Sequence, residues 1–125
     1  MIGIVGGTGL YDIDGMTGRQ WRKVASPWGE PSDELLFGSI GGREVVFLPR
    51  HGRGHRIPPH EINFLANIDA LKRAGARSVI SVSAVGSLHA DLPPGTFVLV
   101  DQMIDRTLRR PKTFFGTGCV AHVSV

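Results

Sequence analysis

The sequence predicts an α/β fold, a mixed β-sheet flanked by helices. Short apolar runs end in glycine or arginine turns, one segment has helical spacing, and two apolar runs are joined by a tight glycine turn. The 125 residues are 42% hydrophobic and 20% charged. That balance suffices for a real core and excludes a disordered chain.

Met1 to Val5 is a short apolar run closed by Gly6-Gly7-Thr8-Gly9, and reads as a buried strand entering a glycine turn. Asp12 to Thr17 reads as loop. Trp21 to Ala25 reads as a strand, with Trp21, Lys23 and Ala25 on one face. Ser26 to Asp33 holds Pro27, Gly29 and Pro31 and reads as loop. Leu35 to Ile40 and Glu44 to Leu48, joined by Gly41-Gly42-Arg43, predict a β-hairpin, because the glycines permit the positive φ of a tight turn.

Arg50 to Pro59 is a basic loop. His60 to Ala74 predicts a helix, with Ile62, Leu65, Ile68 and Leu71 recurring every three residues and Phe64 widening the stripe. Pro58 and Pro59 suit its start, Glu61 its positive end, Lys72 and Arg73 its negative end, and Gly75 its stop. Ser78 to Ser83 predicts a further buried strand, running into Ala84-Val85-Gly86-Ser87. Pro93-Pro94-Gly95 predicts a turn, and Thr96 to Val100 another buried strand ending at Asp101. From Gln102 onward the chain is polar, then glycine-bearing. In the last stretch Val120, Ala121, Val123 and Val125 alternate with His122 and Ser124, as in a strand cut short.

Composition narrows the function. The net charge of +3 is too mild to argue for nucleic acid and suits a small anionic ligand. Val79 to Leu88, the most apolar stretch, is broken by serines and glycine and falls far short of the about 20 residues of a membrane span. The start lacks the charged region of a signal peptide. Cys119 stands alone, so no intramolecular disulfide is expected, and a reducing cytoplasm is the expected location.

Three strand ends carry candidate chemistry. The amides of Gly6-Gly7-Thr8-Gly9 and the Thr8 hydroxyl can face an anion. Gly7 and Gly9 match a dinucleotide fingerprint, but Asp12 stands at its third glycine, and no Walker A lysine follows. A plain tight turn accounts for these glycines equally well. Arg50-His51-Gly52-Arg53-Gly54-His55 offers a guanidinium fork and an imidazole, against the alternative of an exposed basic loop. Ser83-Ala84 offers a hydroxyl and an amide. Convergence of Thr8, Arg50 with His51, and Ser83 with Ala84 on one anion is the sharpest expectation, because open α/β sheets bind ligands beyond their strand ends.

Elsewhere the signals are weaker. His55 and His60 have only Glu61 at ligand spacing, so no metal is expected. Asp101 and Asp105 suit ribose hydroxyls or general-base work, or Asp105 pairs with an arginine to hold its loop. No G-x-S-x-G elbow occurs. Cys119 reads as a small apolar residue, and Trp21, Trp28 and the phenylalanines as core.

Five ordered segments carry a resemblance: Ile4-Val5-Gly6-Gly7-Thr8-Gly9-Leu10, Leu48-Pro49-Arg50-His51-Gly52, Asn67-Ile68-Asp69-Ala70-Leu71-Lys72, Ser83-Ala84-Val85-Gly86-Ser87-Leu88 and Asp101-Gln102-Met103-Ile104-Asp105-Arg106-Thr107. Together they resemble the amino-terminal half of the trimeric purine nucleoside phosphorylases, in the 5′-methylthioadenosine phosphorylase branch. The resemblance implies a phosphorylase-type fold, with residues 1–125 as the amino-terminal portion of a single, incomplete domain. It implies phosphorolysis of 5′-methylthioadenosine to adenine and 5-methylthioribose 1-phosphate, with inorganic phosphate as co-substrate and no metal or organic cofactor. It implies phosphate contacts from Thr8, Arg50, His51, Ser83 and Ala84. His122 would reach a neighbouring subunit's site, in a homotrimer or dimer of trimers. Neither nucleic acid nor membrane is an expected partner. Ser83 and Val85 stand where the branch has threonine and often cysteine, which keeps a 6-oxopurine or methylthioinosine phosphorylase as the alternative. A third possibility is a non-catalytic piece that binds phosphate or needs a complementing chain.

Overall fold

The computed structural model describes residues 1–122, the side chain of Thr8 excepted. These residues form two units, one from Met1 to Ser83 and one from Ala84 onward.

The first unit carries a five-stranded mixed sheet in the order β2-β3-β4-β1-β5. Its strands are β1 (Ile2–Gly6), β2 (Met16–Arg22), β3 (Leu35–Ile40), β4 (Arg43–Pro49) and β5 (Ser78–Ser81), with helix α1 (Phe64–Arg73) between β4 and β5. The neighbours β2, β3 and β4 run antiparallel, whereas β1 lies parallel to both β4 and β5. The predicted hairpin is β3-β4. Its two-residue turn has Gly41 at φ +56° and Gly42 at φ +75°, which side chains resist and glycine permits.

Strand β4 is the centre of the core, and this explains its unbroken apolar run. Val46 and Leu48 pack with Leu35, Ala70 and Leu71 on the helix side. Val45 and Phe47 pack with Met16 and Leu36 on the opposite side, under Leu10, Tyr11 and Trp21. A strand buried on both faces has no polar alternation.

Several elements differ from the sequence expectation. Strand β2 begins at Met16, inside the expected loop, and ends at Arg22. It is polar because it is a sheet edge with one face in solvent; only Met16 is buried, and pairing with β3 selects its register. Helix α1 begins at Phe64 because the Asn63 side chain accepts the Ala66 N–H at 3.1 Å, while Pro59–Glu61 forms a separate 3-10 turn. Its buried face is Ala66, Asn67, Ala70 and Leu71, so Ile68 is 43% exposed. Small alanines let the helix lie close to β4, which turns Ile68 outward. The helix stops as expected. Gly75, at φ +95°, and Ala76 donate back to Lys72 O and Leu71 O, which is the Schellman arrangement.

The expected buried strand at Ser78 forms, but β5 ends the sheet and all its residues are exposed. Trp28, Phe97, Phe114 and Phe115 are exposed rather than core, and Cys119 is exposed as well. In the second unit the turn at Pro93-Pro94-Gly95 is present, closed by Thr96 N–H to Pro93 O at 3.2 Å. Thr96 to Val100 is not a strand, and Phe97 and Leu99 are almost wholly exposed. A strand needs a neighbour for its backbone groups, and the described residues of this unit include none. The expected final strand is absent through His122, and residues 123–125 lie outside the described residues. No helix among the described residues is long and apolar enough to cross a membrane.

Candidate anion-binding site

Because β4, β1 and β5 are parallel, their carboxyl ends share one edge of the sheet. Two backbone bonds carry the alignment past the strands: Arg50 N–H donates to Gly6 O at 3.0 Å, and Val82 N–H donates to Val5 O at 2.8 Å. The turns after the three strands therefore lie side by side.

Arg50 bridges them. Its Nη1 donates to Val82 O at 2.9 Å and to Ser83 Oγ at 2.7 Å. Its Nη2 faces Gly7, 3.4 Å from where a Cβ would stand. That is ordinary contact distance, so the guanidinium lies directly against the backbone of the glycine turn. Its Nε donates to His51 Nε2 at 3.2 Å.

His51 is 8% exposed, and its Nδ1 lies 2.9 Å from Ile57 O. A carbonyl oxygen can only accept and Arg50 Nε can only donate. The partners therefore assign the proton to Nδ1 and the lone pair to Nε2. In this arrangement the imidazole orients Arg50, and the donor expected from the sequence is occupied by Ile57. The His55 ring lies beside it, tilted by 37° with centroids 4.6 Å apart, from a backbone at φ +53°.

A second layer holds the basic loop. Asp33, whose side chain is 3% exposed, accepts from Arg53 N–H at 2.6 Å and from Arg53 Nη2 at 2.8 Å. Burial alone would raise the Asp33 carboxyl, but the hydrogen bonds from Arg53 and Glu34 outweigh it and hold it below the ordinary carboxylate range. The Arg53 guanidinium lies 4.1 Å above the Trp21 ring. Buried Asn67 of α1 accepts Ser32 N–H at 2.8 Å and donates to Ser32 Oγ at 2.9 Å, fastening the segment that carries Asp33. Tyr11 Oη donates to Gly52 O at 3.0 Å.

Of the residues expected at the site, the structure brings together Arg50, His51 and Ser83 at the edge where the β1 turn also ends. The backbone of Thr8 lies in that turn, a 3-10 turn over Thr8–Leu10. Ala84 opens the second unit and His122 lies within it; both are exposed there. Asp105 is also in that unit and accepts from Thr107 Oγ1 at 2.6 Å and from Lys112 Nζ at 2.9 Å, so a lysine takes the place of the expected arginine. These bonds hold its carboxyl well below the usual range. No group of metal-ligating side chains occurs among the described residues. Tyr11, Asp33 and Asn67 were not legible as site residues, because their partners are distant in sequence.

An arginine held at the carboxyl ends of parallel strands in a mixed sheet, with a glycine turn facing it, defines an α/β protein with a candidate oxyanion site at that edge. The family model of the phosphorylase superfamily matches residues 1–125, and the chain belongs to that family. It is 60% identical over its full length to the S-methyl-5'-thioadenosine phosphorylase of Rhodospirillum rubrum, covering 42% of that protein. It is 57% identical over 99% of its length to the enzyme of that name from Saccharolobus solfataricus, covering 46% of it. The chain thus spans less than half the length of these relatives. Among solved structures, a methylthioadenosine phosphorylase from an antarctic soil metagenomic library superposes with a TM-score of 0.90 at 52% identity, over 98% of this chain and 43% of that one. Methylthioadenosine phosphorylase from Schistosoma mansoni in complex with adenine gives 0.85 at 44% identity, over 94% and 42%.

Proposed function

We propose that residues 1–125 are the amino-terminal portion of a single phosphorylase domain, and that the whole protein cleaves 5′-methylthioadenosine with phosphate. The products are adenine and 5-methylthioribose 1-phosphate. The observation that carries this is Arg50, braced between β4 and β5 and facing Gly7. Thr8, Arg50, His51, Ser83 and Ala84 form the phosphate pocket in this proposal.

The chemistry suits such a pocket. As the C1′–N bond breaks, its electron pair leaves with the base, which takes up a proton. Positive charge develops at C1′, and a phosphate oxygen forms the new bond there. Phosphate held in place both stabilises that charge and supplies the nucleophile, so positioning and electrostatics lower the barrier. No metal or organic cofactor enters the proposal. His122 is proposed to complete a neighbouring subunit's site in a homotrimer or dimer of trimers, within the cytoplasm.

The names of the relatives and the adenine complex of the Schistosoma mansoni enzyme support an adenine-bearing substrate. Ser83 and Val85 favour the second reading, a 6-oxopurine or methylthioinosine phosphorylase. The test is base release by the full-length protein with and without phosphate. Phosphate-dependent release of adenine is expected. Release of hypoxanthine alone supports the second reading, and release that ignores phosphate sinks both.

A further inference from the structure

Tyr11 lies in no strand or helix, yet its side chain joins two loops of the phosphate pocket. The glycine turn after β1 closes with Leu10 N–H on Gly7 O at 3.1 Å, and Tyr11 leaves from its end. Its hydroxyl reaches across the sheet edge to Gly52 O, in the basic loop after β4, at 3.0 Å. The same carbonyl accepts His55 N–H at 3.0 Å. The Tyr11 ring stands edge-on to buried Phe47, centroids 6.2 Å apart.

Gly52 is a firm anchor. Its φ is +69°, and a Cβ there would meet Ser32 O and Arg56 Nε at 3.0 Å. The Tyr11 bond therefore ends on constrained backbone rather than on a mobile side chain. Burial pushes the Tyr11 hydroxyl above its ordinary value, with Arg50 pulling it down and Asp33 pushing it up, so it keeps its proton and donates near neutral pH.

The two loops are thus tied at two depths. Arg50 N–H on Gly6 O joins them at the strand ends, and Tyr11 joins them farther out. We propose that Tyr11 is a positioning residue for phosphate, which sets the width of the pocket between the β1 glycine turn and Arg50. The proposal rests on the phosphorolytic reading above. It assigns Tyr11 no contact with phosphate.

The test is Tyr11→Phe in the full-length protein, which keeps the ring against Phe47 and removes only the donor. The phosphate KM is expected to rise about fivefold, the loss of one neutral hydrogen bond. The kcat at saturating phosphate and the nucleoside KM should stay within about twofold, since the deleted bond touches neither the base nor the sugar. An unchanged phosphate KM in a variant that melts normally overturns the proposal. So does an equal loss in all kinetic parameters, which is the signature of a purely structural role. Wild-type turnover that does not require phosphate overturns the functional reading itself, and this inference with it.

Discussion

Arg50 has two guanidinium nitrogens bonded before any ligand arrives, Nη1 to Val82 and Ser83 and Nε to His51. A long side chain held in this way loses less freedom on binding, which is preorganisation. In the whole protein, Arg50→Ala is expected to raise the phosphate KM at least about tenfold, corresponding to about 1.5–3 kcal/mol for a charged hydrogen bond. Initial rates against phosphate concentration check this, and unchanged rates would remove Arg50 from the pocket. Asp33 gives a pH prediction. Its carboxyl titrates lower in the folded chain than the about 3.9 of an unfolded aspartate. It therefore favours folding fully above that value, and the contribution fades as pH falls through the lower folded value. Asp33→Asn should lower Tm near neutral pH, and its deficit against wild type should shrink below about pH 4. Thermal melts across that range decide it; a deficit that does not change with pH would sink the assignment.

At the scale of elements, helix α1 depends on its ends. Asn63→Ala removes the Ala66 cap and also the 2.8 Å bond from Asn63 Nδ2 to Trp28 O. We expect a loss of about 1 kcal/mol, read as a shift of the urea midpoint at unchanged slope. The elements most legible in the sequence are those whose chemistry is local. Gly41-Gly42 specifies its turn, the β4 run shows double-sided burial, and Gly75 stops α1, each within a few residues. The face of α1 was not legible, because spacing ranks apolar side chains, whereas close approach to β4 selects Ala66 and Ala70. Strand β2 was hidden for a similar reason, since an edge strand takes its register from its partner. The candidate site divides in the same way. Arg50 and Ser83 stand in strand-end motifs, but Tyr11 meets Gly52 across 41 residues and Asp33 meets Arg53 across 20. Such pairs exist only once the sheet has formed.

For the whole molecule, apolar surface is distributed unevenly. The first unit packs both faces of β4, whereas the second leaves Leu88, Phe97, Leu99 and Ile104 exposed. A size typical of one domain therefore does not correspond to one evenly packed core. Among the described residues the sheet ends on β5, whose Ser78-Val79-Ile80-Ser81 carries no charge and no proline. Proteins usually guard such an edge with lysine, proline or a bulge, because a bare row of amides and carbonyls templates another chain. The 125-residue chain in isolation is accordingly expected to self-associate as its concentration rises, and Ile80→Lys to suppress this in light scattering. An uncharged strand left at the border of a sheet is thus an adhesive surface as well as a structural element.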